Sequence, residues 1–114
     1  MTTQQVISRL HQEAVEAMDQ SKFYDMLGDK NMALHYCDLA FRLDSIVADY
    51  FAEGHQEPTR SRIHRNVAFM ALYLGNFNKA TDLAERGLNG NPPEDVRKVL
   101  ELARKKGLAG SIIV

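Results

Sequence analysis

Two glycine-polar pairs, Gly28-Asp29 and Gly75-Asn76, interrupt runs of apolar residues spaced three and four apart, and that pattern restricts the chain to antiparallel helical hairpins. Glycine takes the left-handed conformation that closes one helix, and the acid or amide after it caps the next. Before Gly28, the residues Val6, Leu10, Ala14, Ala17, Met18, Ser21, Tyr24 and Leu27 predict an amphipathic helix over 3–27, capped by Thr2 or Thr3. After Asp29, a helix over about 30–51 carries Ala33, Tyr36, Cys37, Ala40, Phe41, Val47, Ala48 and Phe51 on one broad face. The Gly, Pro and polar residues of 53–59 predict the principal loop, with Thr59 as the next cap.

A third helix is expected over 60–74, with Ile63, Val67, Met70, Ala71 and Leu74 as its inner stripe, and a fourth over 77–88. Asn89-Gly90-Asn91-Pro92-Pro93 is a strong breaker, while Pro93-Glu94-Asp95 suits the first turn of a fifth helix, because proline presets φ and carboxylates favour the dipole. That helix turns Val96, Val99, Leu100 and Ala103 inward and is expected to stop at Arg104-Lys105-Lys106-Gly107. The expected architecture is all-α, with five antiparallel helices arranged as two hairpins and a C-terminal capping helix. The 114 residues suit one domain, 1–107, followed by an apolar tail, 108–114, expected to dock in a groove on this chain or another.

Superposing the two glycine turns places Ala33 on Ala80 and Phe41 on Leu88, so the hairpins share one plan. The second hairpin resembles the tetratricopeptide repeat family through Ala68, the turn Leu74-Gly75-Asn76-Phe77, Ala80, and Leu88 with Pro92 at the exit. The first matches it at Tyr24, Gly28-Asp29, Ala33 and Ala40. Three departures stand out: His64 where the family favours a large aromatic, Gly87 where it favours alanine, and 47 residues between the turns in place of about 34. The resemblance spans about residues 14–106 and implies a right-handed stack of helical hairpins whose first helices line a ligand-binding surface. Its small residues have a packing role of their own, since alanine at a helix crossing lets two backbones approach.

The first helix of the second hairpin carries a stripe beside its core stripe: Arg62, Arg65, Asn66, Phe69 and Tyr73. Two guanidiniums and an amide suit a carboxylate, and the aromatics supply apolar contact, which points to a protein or peptide partner bearing an acidic or carboxylate-ended segment. The competing reading pairs Arg60, Arg62 and Arg65 with Asp44, Asp49, Glu53 or Glu57 and packs the aromatics into the fold. The matching stripe of the first hairpin is Val15, Met18, Asp19, Lys22 and Met26. A second function class is self-association into a homo-oligomer through Ser111-Ile112-Ile113-Val114 or an exposed helix face.

Other classes are disfavoured. A net charge of −1 provides no global attraction to nucleic acid, leaving only a local patch of Arg42, Arg60, Arg62 and Arg65. His11, His35, His55 and His64 fall on separate segments with no metal-ligand spacing, and no phosphate loop or nucleophile elbow is present, so neither enzyme nor cofactor is expected. No apolar run reaches the roughly 18 residues of a membrane span. The first residues lack the basic start of a signal peptide, and the single Cys37 forms no internal disulfide, so the expected setting is cytoplasmic.

Overall fold

Capping chemistry sets where each helix begins and turns. In the computed structural model, which describes residues 1–52 and 56–113, the helices are α1 (Thr3–Met26), α2 (Lys30–Tyr50), α3 (Thr59–Tyr73), α4 (Phe77–Leu88) and α5 (Glu94–Ile113). Among the described residues there is no strand. Thr2 and Gln5 form a capping box at the start of α1: the Thr2 hydroxyl accepts from the Gln5 backbone N–H at 3.2 Å, and the Gln5 side-chain Oε1 accepts from the Thr2 N–H at 2.8 Å.

The two glycine turns are the same turn built twice. Gly28 and Gly75 have φ of 80° and 77°. The N–H groups of Asp29 and Asn76 reach back to the carbonyls of Tyr24 and Ala71, at 2.9 and 2.8 Å, while those of Gly28 and Gly75 donate to Asp25 and Leu72. That double bond pattern is the Schellman motif, which satisfies the terminal carbonyls only when its C′ residue adopts positive φ. Asp29 and Asn76 then cap α2 and α4 by accepting from the N–H groups of Met32 and Lys79.

Helix α2 packs against α1 and α3, α4 packs against α3 and α5, and α5 also meets α3. Fully buried alanines at 33, 40, 68, 71, 80 and 84 let these helices approach, and Val47, Val67, Leu83 and Leu100 fill the space between them. Tyr24 stacks flat on Tyr36 to close the first hairpin, with ring centroids 5.7 Å apart. By contrast, no α1 Cα lies within 8 Å of an α3 Cα. The antiparallel hairpins therefore leave α1 and α3 parallel and separated, with α2 beneath the gap.

Three sequence expectations are corrected. Thr59 does not cap α3: it is the first helical residue, Pro58 holds the cap position, and no side chain caps there. Residues 53–55 of the expected loop lie outside the described residues. Helix α5 does not stop at Gly107 but continues through Gly107 and Gly110 to Ile113, so 108–113 is helix and no separate tail starts there. Ile112 is 84% exposed and fills no groove of this chain; Val114 lies outside the described residues.

Candidate functional site

The gap between α1 and α3 is a groove of about 680 Å³. Val15, Met18, Asp19 and Lys22 form the α1 wall, and Arg65, Asn66, Phe69 and Tyr73 the α3 wall. Cys37 and Asp44 of α2 line its base with Met70, and Val99 reaches in from α5. One end is closed by a latch: the Tyr73 hydroxyl donates to Asp25 Oδ1 at 3.0 Å, and the Lys30 ammonium sits 4.0 Å from the Tyr73 ring centroid.

Four of the five α3 residues singled out in sequence thus share one wall. Arg62 does not join them: it is exposed and is not among the residues that line the groove. Met26 is likewise outside it, 86% exposed at the end of α1. The two stripes meet as opposing walls because both helices run in the same direction and expose the flank beside their core residues.

Arg65 donates from Nε and Nη2 to Asn66 Oδ1, at 3.2 and 3.1 Å. This bond holds the amide oxygen and so leaves the Asn66 amide N–H groups and the remaining guanidinium N–H groups as donors. Among the described residues Arg65 makes no ion pair, and Asp49 is paired with Arg86 and Asp44 with His11; Arg60, by contrast, pairs with Glu57, as the competing reading expects. Glu53 lies outside the described residues.

Cys37 provides no nucleophile. Burial pushes its thiol up to about 11, with Asp38 adding to the rise, and its sulfur sits 3.8 Å from the Met70 carbonyl. Among the described residues no group of three or more His, Cys, Asp and Glu side chains is placed to hold a metal ion, and no helix is long and apolar enough to cross a membrane.

Sequence reading missed the pair His11 and Asp44, whose Nδ1 and Oδ1 lie 2.9 Å apart. Its signal was present. Asp44 falls four residues after Ala40 and three before Val47, and His11 four after Ile7 and three before Ala14, so each is a polar residue on an apolar stripe. Two such misfits on facing helices are explained by one another.

His64 is a second buried polar group, away from the groove. Its Nδ1 bonds the Arg60 carbonyl at 2.8 Å, and Nε2 has no partner among the described residues. Burial depresses its basicity, so the folded chain resists protonating it. Below the ordinary histidine pKa of about 6.5 the unfolded chain binds a proton that the folded chain does not, so stability falls as pH drops through that window. Asp44 is raised by burial, so the stability linked to it is lost as pH rises, the opposite sign to that of His64. Urea unfolding from pH 7.5 to 5.5 is expected to show the loss, and His64→Phe to flatten it; an unchanged slope in that variant would assign the loss elsewhere.

Compared with protein-family models, with curated proteins and with solved structures, the chain has no match.

Proposed function

We propose that this chain is a non-catalytic binding module that holds a peptide or protein segment in the α1–α3 groove. The observation that carries the reading is the α3 wall: among the described residues Arg65 and Asn66 present donors with no carboxylate engaged, beside the apolar surface of Phe69 and across the groove from Met18 and Val15. Donors set against apolar area suit a segment that combines a carboxylate with apolar side chains, because the ion pair supplies orientation and the apolar contact supplies affinity. The resemblance to tetratricopeptide hairpins supports the same surface. A groove that opens along two helices fits an extended chain, and its only thiol is buried and protonated, which favours binding over chemistry. A free cysteine and a near-neutral charge are consistent with a cytoplasmic setting.

The test uses a displayed library of random heptapeptides with free carboxyl ends. Selected peptides are expected to be acidic or to depend on their terminal carboxylate. Arg65→Glu is expected to weaken the best of them by roughly 10- to 100-fold, the range for losing a charged hydrogen bond and leaving repulsion. Arg62→Glu, outside the groove, is the matched control and is expected to stay within about twofold, since exposed charges contribute little. Equal affinity of the Arg65→Glu protein and the unaltered chain would remove this site.

A further inference from the structure

The groove contains a polar device that apolar binding does not require. Asp44 stands on the inward face of α2 with its side chain 2% exposed, and its Oδ1 lies 2.9 Å from Nδ1 of His11, whose side chain is 37% exposed at the groove. Burial of the carboxyl pushes its pKa upward, and the hydrogen bond from His11 opposes that rise. With Asp44 ionised, its carboxylate can only accept, and the proton between the two groups then belongs to Nδ1. In the neutral imidazole Nε2 then carries no proton and is a hydrogen-bond acceptor.

The level of this acceptor along the groove follows from helix geometry. The Cys37 sulfur meets the Met70 carbonyl, which puts those two residues side by side on α2 and α3. Asp44 lies seven residues further along α2, ~10 Å at the ~1.5 Å rise of a helix. Arg65 lies five residues back along antiparallel α3, ~7.5 Å in the same direction. The His11–Asp44 pair and the Arg65–Asn66 pair therefore stand at about the same level on opposite walls. One wall offers donors and the other an acceptor. A bare carboxylate would satisfy the donors and face His11 Nε2 with another acceptor, whereas a carboxylate next to an amide N–H satisfies both walls.

We infer that His11 is a specificity-determining residue of the groove, accepting through Nε2 an amide N–H that neighbours the carboxylate held by Arg65 and Asn66. The inference rests on the peptide-binding reading above and narrows it to segments in which the two groups are adjacent, as in a terminal residue with its own backbone N–H. Asp44 is a positioning residue that fixes the tautomer. A purely structural His11, present only to partner a buried acid, would show no coupling to any group of the ligand.

Two measurements test this. In the full chain with 15N-labelled histidine at pH 8, above the ordinary histidine range, the ring nitrogens of His11 are expected to report a proton on Nδ1 and none on Nε2; a proton on Nε2 overturns the inference without any variant. The strongest heptapeptides from the library are then resynthesised with each backbone amide N-methylated in turn. One position is expected to lose ~5-fold or more in affinity, the value of one hydrogen bond, and that loss is expected to vanish in the double variant His11→Phe with Asp44→Val, which buries no unpaired charge. Absence of any coupled position overturns the role of His11 while Arg65→Glu still reports on the groove. No selected peptide, or none sensitive to Arg65→Glu, overturns the peptide-binding reading and this inference with it.

Discussion

Replacing Arg60 by alanine is expected to destabilise the fold by about 3–5 kcal/mol, as removal of one member of a buried ion pair does. Arg60 is among the largest fully buried side chains of the chain. Its Nε donates to Glu57 Oε1, Nη1 to the Arg86 carbonyl at 2.8 Å, and Nη2 to the Gly87 carbonyl at 2.6 Å. The two carbonyls belong to the last turn of α4, where the helix dipole is negative and where the Arg86 carbonyl also accepts from the Asn89 N–H at 3.3 Å. One guanidinium thus ends α4, ties it to the start of α3, and neutralises an acid that is 18% exposed. Alanine would take the guanidinium from both carbonyls, leaving Arg86 only its bond from Asn89, and would leave a void and Glu57 without its cation.

Partial exposure lets Glu57 take up water or a proton, which places the cost toward the lower end of that range. The double replacement Arg60→Met with Glu57→Gln is expected to cost less than Arg60→Ala alone, since it leaves no uncompensated charge. Urea unfolding of the three proteins checks both statements. A single-variant loss under about 1 kcal/mol, the value of an exposed pair, would show that the pair is not desolvated in solution.

Arg60 also shows where sequence reading runs out. The hairpins were legible because their determinants are local: Gly28 and Gly75 act within a six-residue turn, and Asp29 and Asn76 cap the helix that follows. The alanines were legible because they recur at helical spacing. The pairing of Arg60 with nearby Glu57 was among those the sequence offered, but its burial and its carbonyl partners at 86 and 87, which are 26 and 27 residues away, were not legible. His11 and Asp44 are 33 apart and each looks like a lone polar residue until α1 and α2 are laid together.

The groove divides in the same way. Residue types on α3 indicated binding chemistry, but Arg62 and Arg65 differ by three residues and hence by about 60° around the helix. Which of them faces a groove is decided by where α1 lies, and no residue of α3 encodes that. The wall was therefore legible as a composition and only partly as a set of residues.

Gly107 is the residue for which a local rule pointed the wrong way, and the reason predicts its mutational behaviour. Three basic residues followed by glycine make a good helix stop, yet α5 continues for six more residues. Gly107 is buried, and a Cβ built on it would meet the Thr81 hydroxyl, lie 3.0 Å from the Thr81 backbone nitrogen and 3.1 Å from the Phe77 carbonyl oxygen. The glycine is there because the α4 and α5 backbones approach too closely for any side chain. Helix propensity alone would make Gly107→Ala a gain of about 1 kcal/mol. The first neighbour that would have to yield is the Thr81 hydroxyl, which is held by its bond to the Phe77 carbonyl with α4 backbone directly behind it, so the substitution is expected instead to cost about 1–3 kcal/mol, as overpacking does. Ala109→Gly, on the exposed face of the same turn, calibrates the propensity at that place and is expected to cost about 1 kcal/mol. Both exchanges, opposite in chemistry, should therefore lower the urea midpoint. A Gly107→Ala protein more stable than the unaltered chain would mean that α5 ends or parts from α4 before residue 107.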